Sequence, residues 1–356
     1  MFRRKQVAQN EIVAYRMRKF FKALENEHRS EPEKVAEIYS LLLWNGQKDR
    51  LVDDKRLSRS RFYVGLSTGD NFDELTKRTV LVSDTLLLSH DWAGEYHHLA
   101  KNSHFMDVGG PVGPDFGTMC GIHCPNLAEL GRWILDVEPL LKAGLVWYLP
   151  SYSTSAYVGD EISLNPADKP KQAKAIDYLI RDGRAVDASG AEPIKSQLVR
   201  PVLRIDLPFI DGVNLQNFSK ITVEEFSSYS AFRDFLRLSF LDMDMALNAV
   251  QSDRELLKLS LQIKDHIRSA RSEMVTARRK RAVAVTGAVI GSVGAILVAV
   301  YGPALALAAA VAAIGATGGG VWGIIHATTE NSTHALREDK WYYVWALAKK
   351  SNTHVI

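Results

Sequence analysis

The feature of this 356-residue chain that most constrains its fold is the run from Ala282 to Thr329, which contains no Asp, Glu, Lys or Arg. Gly302 and Pro303 divide the run, and they mark a turn because proline lacks the amide hydrogen that continues a helix. At about 1.5 Å per residue, the pieces Ala282–Tyr301 and Ala304–Ile325 each match the roughly 30 Å hydrocarbon core of a bilayer. The run therefore predicts a C-terminal apolar helical hairpin of two candidate transmembrane helices over residues 282–325.

Basic residues stand immediately before this hairpin, at Arg278, Arg279, Lys280 and Arg281. Basic flanks stay on the cytoplasmic side of a membrane, and a hairpin returns to the side that it left. We therefore expect a protein on the cytoplasmic face of a membrane, with both termini cytosolic and the lipid bilayer as its partner. The first residues lack the continuous apolar core of a signal peptide, which agrees with a cytoplasmic body.

Glycine recurs at helical spacing inside the predicted hairpin. The positions that share a helix face are Gly287, Gly291 and Gly294 in the first helix and Gly315, Gly319 and Gly323 in the second. Small residues at this spacing let helix backbones approach closely in lipid, so the pattern predicts a glycine zipper. It favours packing within the hairpin or self-association of several chains, and therefore a membrane-perturbing or pore-forming effector.

The composition of the hairpin leaves alternatives open. Leucine is scarce and alanine is abundant in it, and alanine contributes little to membrane insertion. The hairpin could therefore insert only after a trigger. It could also stay buried in a soluble cytoplasmic protein that forms an oligomeric scaffold. The tail over residues 326–356 is predicted to be amphipathic, with Trp341, Tyr342, Tyr343 and Trp345 placed at a membrane interface.

The rest of the chain reads as an α/β or α+β N-terminal portion followed by a long helical segment. The predicted limits are N-terminal helices over 1–60, an α/β core over 61–215 and a helical segment over 216–281. The predicted elements include strands at Thr79–Val82, Thr85–His90, Val146–Leu149 and Val202–Leu207, helices at Gln6–Glu25 and Lys171–Arg181, one helix from Pro125 to Leu141, and a capping box at Thr222–Glu225. The first helix carries many basic residues, so it either packs on the body with a solvated basic face or lies on anionic lipid.

Reactive side chains are densest between His90 and Cys124. The set is His90, Asp91, His97, His98, His104, Asp107, Asp115, Cys120, His123 and Cys124. Cysteine and histidine are zinc ligands, so His104, Cys120, His123 and Cys124 are the candidates for a zinc site, although their spacing is not that of paired Cys-x-x-Cys ligands. A second hypothesis makes Cys124 a nucleophile, because it precedes a predicted helix whose dipole would lower its pKa. Either one would make the protein a membrane-tethered or soluble enzyme.

Bulk composition excludes some classes of function. The formal net charge is only +3, which gives no reason to expect nucleic acid as a partner. Two cysteines in so long a chain do not form a disulfide framework. The glycine-rich stretch over residues 109–114 contains prolines, which remove the amide donors of a phosphate-binding loop. Apart from the possible zinc, no cofactor is expected.

Overall fold

A computed structural model describes residues 7–44, 51, 62–69, 72–90, 103–106, 118–158, 161–167, 175–188, 191–243, 249–285 and 339–351. The strands of these residues are β1 (Tyr63–Thr68), β2 (Thr85–His90), β3 (Ser103–Met106), β4 (Thr118–His123), β5 (Val146–Tyr148), β6 (Ser151–Val158), β7 (Glu161–Ala167), β8 (Tyr178–Arg181) and β9 (Arg184–Asp187). The helices are α1 (Glu11–Ala23), α2 (Asn26–Arg29), α3 (Pro32–Trp44), α4 (Phe72–Thr79), α5 (Leu127–Asp136), α6 (Glu138–Ala143), α7 (Pro193–Arg204), α8 (Pro208–Asp211), α9 (Leu215–Glu224), α10 (Phe226–Leu241), α11 (Ala249–Val285) and α12 (Lys340–Lys350).

A five-stranded sheet in the order β5-β2-β1-β8-β9 forms the centre of the fold. Its first four strands are parallel, and β9 runs antiparallel to β8 after a tight hairpin. Every residue of β1, β2 and β5 is buried, as expected for parallel strands covered on both faces. The protein is therefore a mixed α/β structure whose central strands are joined through helices.

A second sheet is antiparallel and has the order β3-β4-β6-β7. Its strands come from two insertions. The chain between β2 and α5 supplies β3 and β4, and the chain between β5 and β8 supplies β6 and β7. Both insertions leave the parallel sheet where a parallel strand ends, so the second sheet is attached at the carboxyl ends of β2 and β5.

The N-terminal helices pack on the body of the protein. Phe20 and Met17 of α1 are buried, and the Arg18 guanidinium donates to the carbonyl of Lys142 at 2.9 Å. The packed-helix reading of this segment is thus confirmed, and the reading as a helix on lipid is wrong, because its apolar face is used by protein. A Cβ on Gly131 would lie 1.7 Å from the carbonyl oxygen of Pro32, so α3 and α5 cross with their backbones in contact.

Helices α7 to α12 form a helical layer beside the central sheet, and their buried side chains belong to the same hydrophobic core. The long helix α11 has an apolar face that packs on this layer, with Leu256, Leu259, Ile263 and Ile267 buried. The last helix, α12, packs into this layer through the buried side chains of Tyr343, Val344 and Leu347. The prediction that this segment lies at a membrane interface is wrong for Tyr343, whose ring is fully buried in the protein.

Several local predictions are wrong, and each has a physical reason. The residues Thr79–Val82 are the end of α4 and a turn, because their apolar side chains fill the core from a loop. The segment Tyr178–Arg181 is strand β8 rather than the end of a helix. In the predicted strand Val202–Leu207, the first three residues end helix α7, where Leu198, Val199 and Val202 share a buried face, and the last three follow it without regular structure. The one helix predicted up to Leu141 is two, α5 and α6.

The capping box predicted at Thr222 is wrong as well. Thr222 lies inside α9, and its hydroxyl donates to the carbonyl of Phe218 at 2.8 Å. By contrast, the strand over Thr85–His90 is confirmed, and the strand predicted from Val146 is confirmed up to Tyr148.

Candidate functional site

Strands β1, β2 and β5 end at the same edge of the central sheet, called here the carboxyl edge, at Thr68, His90 and Tyr148 respectively. The chain proceeds from β1 to β2 to β5 in one direction and then returns to place β8 on the other side of β1. In open α/β sheets, ligands bind beyond the carboxyl ends of the strands at such a reversal of strand order. The topology therefore directs the search for a site to this edge.

A histidine–tyrosine pair lies at the carboxyl edge. His90 Nδ1 and the hydroxyl of Tyr148 are 2.8 Å apart, which is a short hydrogen bond between two buried side chains. The imidazole also lies against the ring of Phe72, with ring centroids 4.6 Å apart. Because Phe72 begins α4, the pair is held by two strands and a helix, which is a rigid support for a titratable group.

The backbone of Tyr148 is held from the far side by Tyr39 of α3. The hydroxyl of Tyr39 donates to the carbonyl of Tyr148 at 3.0 Å and accepts from its amide at 3.1 Å. Burial raises the pKa of Tyr39, so this hydroxyl keeps its proton at neutral pH. The indole of Trp133 packs edge-on against Phe72 and donates to Thr76 at 3.0 Å. These contacts form an ordered aromatic cluster below the carboxyl edge.

The predicted zinc ligands are distributed around the second sheet. His104 lies on β3 opposite Ile122, while Cys120 and His123 lie on β4 opposite Met106 and Ser103. Within the described ranges, no three His, Cys, Asp or Glu side chains are grouped to hold a metal ion. The zinc site stays a prediction.

The hypothesis that Cys124 has a lowered pKa is wrong. The thiol is buried, and this burial raises the pKa of Cys124 to about 12, although the backbone at Asn126 acts in the opposite direction. Asn126, rather than the cysteine, caps α5 by accepting from the amide of Glu129 at 3.0 Å. A protonated buried thiol is a poor nucleophile.

The opposite end of the sheet, called here the amino edge, holds a buried charge cluster that joins the sheet to the helical layer. Asp84, directly before β2, accepts from Arg237 at 2.8 Å and lies 3.3 Å from Arg233. The same arginines donate to the carbonyls of Val82 and Ser83. Both guanidinium groups are nearly buried, and burial lowers the pKa of Arg237. Helix α10 is therefore held to the loop between α4 and β2.

Helix α12 contacts the other side of the helical layer. The hydroxyl groups of Tyr343 and Thr222 are 2.9 Å apart, and the ring of Trp341 lies 5.3 Å from that of Phe235. The indole of Trp341 also stacks on His266 of α11, with centroids 4.4 Å apart and planes inclined by 15°. The chain therefore rejoins the body beside α11 after the apolar run.

The predicted hairpin itself cannot be placed. Its glycines Gly287, Gly291, Gly294, Gly315, Gly319 and Gly323 and its turn at Gly302 and Pro303 lie outside the described residues. The basic flank Arg278, Arg279, Lys280 and Arg281 lies on the last turns of α11. Among the helices of the described ranges, none has both the length and the apolar composition needed to span a bilayer. The hairpin stays a prediction.

Two features of these sites are absent from the sequence reasoning. It places His90 at a strand end but gives no sign that Tyr148 is its partner. It also gives no role to Asp84, Arg233 or Arg237. For Arg233 and Arg237 a local signal existed, since they follow Tyr229 at intervals of four and share one helix face.

Comparison with known proteins gives no relative for this architecture. No protein-family model matches the chain, and it matches no curated protein and no solved structure. The class that the structure supports is an α/β protein with an inserted antiparallel sheet and a helical layer.

Proposed function

We propose that the protein is a membrane-associated effector whose folded body carries a glycine-zipper hairpin, residues 282–325, into a bilayer. Self-association along the glycine faces would then perturb the membrane or open a pore. The observation that best supports this proposal is the path of α11. It runs without a break from the helical layer, through the basic residues 278–281, to Val285 inside the charge-free run.

The continuity of helix α11 favours a hairpin that reaches a membrane over a hairpin that is buried within the protein. Ile267 of α11 is buried, and the next two residues, Arg268 and Ser269, are exposed. About 14 residues separate Ile267 from Arg281, which corresponds to roughly 21 Å of helix. The same unbroken helix therefore carries the basic flank and the start of the apolar run about 21 Å beyond a buried contact with the body, which supports contact with a membrane surface.

The first test is carbonate extraction of full-length protein from membranes. Deleting the C-terminal part is unsuitable, because α12 belongs to the core. We therefore compare the wild type with Ala309→Arg, which places an unfavourable charge in the second predicted membrane helix. The matched control is Leu261→Arg, which adds the same charge at an exposed position of α11. Wild type and Leu261→Arg should resist extraction, and Ala309→Arg should be released. Release of all three would exclude an integral hairpin.

The second test concerns the glycine faces and uses dye release from vesicles together with growth of expressing cells. Gly315→Leu and Gly319→Leu should abolish leakage and toxicity, since a large side chain separates the packed helices. Ala313→Leu, two residues away and thus on the opposite face, is the control and should stay active. Equal activity of all variants would exclude packing through this face.

A second candidate function is an enzyme or a small-molecule binding domain that uses the carboxyl edge. The favouring observation is the buried pair His90–Tyr148 at the end of β2, where the His- and Cys-rich insertion begins. This candidate predicts that His90→Asn lowers enzymatic activity or ligand binding without changing membrane extraction. Cys124→Ser should leave that activity or binding intact, because the thiol of Cys124 is protonated. Normal function of the His90 variant in a correctly folded protein would exclude this candidate.

A further inference from the structure

The segments that flank the apolar run contact each other in one body. Ile267 of α11 is buried, and α11 continues from this residue toward the run. On the returning side, Trp341 of α12 stacks on His266, the residue directly before Ile267. The start of α12 therefore lies beside α11 at the level of Ile267.

The lengths of the two legs can be compared directly. The outgoing leg from Ile267 to Arg281 is helical and spans roughly 21 Å. The returning leg has about 16 residues between Ile325 and Trp341, which reach more than 50 Å when extended and about 24 Å as a helix. In either conformation the returning leg is long enough to match the outgoing one. Insertion of residues 282–325 therefore does not require α12 to move.

Undocking α12 would be unfavourable as well as unnecessary. It would expose Tyr343, Val344 and Leu347, which are fully buried, and it would break the hydrogen bond between Tyr343 and Thr222. Loss of the same contacts would uncover Phe232 and Tyr229 of α10, whose rings pack against α12.

We propose that the hairpin occupies the bilayer while α12 stays docked on α9, α10 and α11, so that the body is held below the membrane by two legs. In this arrangement α12 is a permanent anchor of the returning leg and not a strap that opens during insertion. This inference rests on the proposed membrane function and adds the state of the body in the inserted protein.

Hydrogen exchange of the full-length protein tests the proposal, with and without vesicles of phosphatidylglycerol and phosphatidylethanolamine. In vesicle-bound, carbonate-resistant protein, the amides of Tyr343–Lys350 should exchange within about threefold of their rates in the vesicle-free protein, because a docked helix keeps its protection. An increase on the order of tenfold or more would overturn the proposal. If no carbonate-resistant fraction forms, the proposed function itself fails and this inference falls with it.

A covalent link between α11 and α12 provides the causal test. His266→Cys and Trp341→Cys, combined with Cys120→Ala and Cys124→Ala, are bridged with a bis-maleimide. The control is the same variant with both cysteines capped by N-ethylmaleimide. The bridged protein should insert to the same extent as the capped control. Loss of insertion in the bridged protein alone would show that α12 has to undock.

Discussion

Asp84 should be among the charges whose loss most destabilises the described body. The change Asp84→Asn removes the carboxylate that lies 2.8 Å from Arg237 and 3.3 Å from Arg233. Both arginine side chains are at most 7% exposed, so two buried cations would keep only the more distant Asp234, which is 60% exposed, as a counter-charge.

The magnitude follows from the burial of this cluster. Removing one partner of a buried ion pair costs about 3–5 kcal/mol. Because Asp84 itself is 22% exposed, water partly compensates and the lower value applies, about 3 kcal/mol. For a chain of this size, that loss corresponds to a fall of roughly 5 °C in melting temperature.

Asp187→Asn provides the matched control. Asp187 forms an equally short ion pair with Arg200 at 2.7 Å, but the two side chains are 61% and 44% exposed. An exposed pair of this kind contributes about 0–1 kcal/mol. Both variants are compared with the wild type by thermal unfolding of the full-length protein in a mild non-ionic detergent. If the two variants differ by less than about 1 kcal/mol, the cluster does not hold α10 to the sheet as inferred.

Three further predictions concern the core. Gly131→Ala should cost about 3 kcal/mol or prevent folding, because the new Cβ would overlap the carbonyl of Pro32, whereas Gly69→Ala, with open space around it, should be neutral; equal melting temperatures would refute the helix crossing. Asp136→Asn should stabilise by about 0.5–1 kcal/mol at pH 7, since burial and a neighbouring carboxylate raise the pKa of Asp136 at a helix C-terminus, and the gain should vanish as the pH falls through this raised pKa; a gain that persists at pH 3 would contradict the cause. Tyr148→Phe should cost about 0.5–1.5 kcal/mol by removing its hydrogen bond to the buried imidazole of His90, and an unchanged melting temperature would refute that hydrogen bond.

Local patterns predicted those elements whose burial follows from neighbouring residues. Strand β2 contains three consecutive leucines, Leu86 to Leu88, and a continuous apolar run is typical of a parallel strand. The start of α5 was predictable to within two residues because Asn126 is a good helix cap and accepts from the backbone two positions into the helix.

Where the predictions were wrong, two periodicities competed. The stretch from Val202 alternates apolar and polar residues over a few positions, but the wider pattern from Leu198 follows a helix and places the same residues on one buried face. At Arg181 the sequence contained a better signal than the one used. Asp182-Gly183 is a hairpin dipeptide, and both residues have positive φ, 50° and 69°, as a two-residue turn requires.

The sites depend on contacts that no local pattern contains. His90 and Tyr148 are brought together only because β2 and β5 are neighbours in the sheet. Asp84 and its arginines lie about 150 positions apart in the chain. In both cases the sequence shows the residue types, but the pairing depends on strand order and helix packing.

The order of strands also affects the risk of aggregation while the protein is being translated. Strand β1 lies at the centre of the parallel sheet, and its two neighbours are made at very different times. Leu66 pairs with Leu88 on one side and with Tyr178 on the other. At about 5–20 residues per second, one edge of β1 stays unpaired for roughly 5–20 s while the residues between the strands are added. During that interval the nascent chain exposes one unpaired backbone edge of β1, the kind of surface that pairs with other chains. We expect the yield of soluble body to depend on chaperones that cover this edge, and slower translation to increase aggregation.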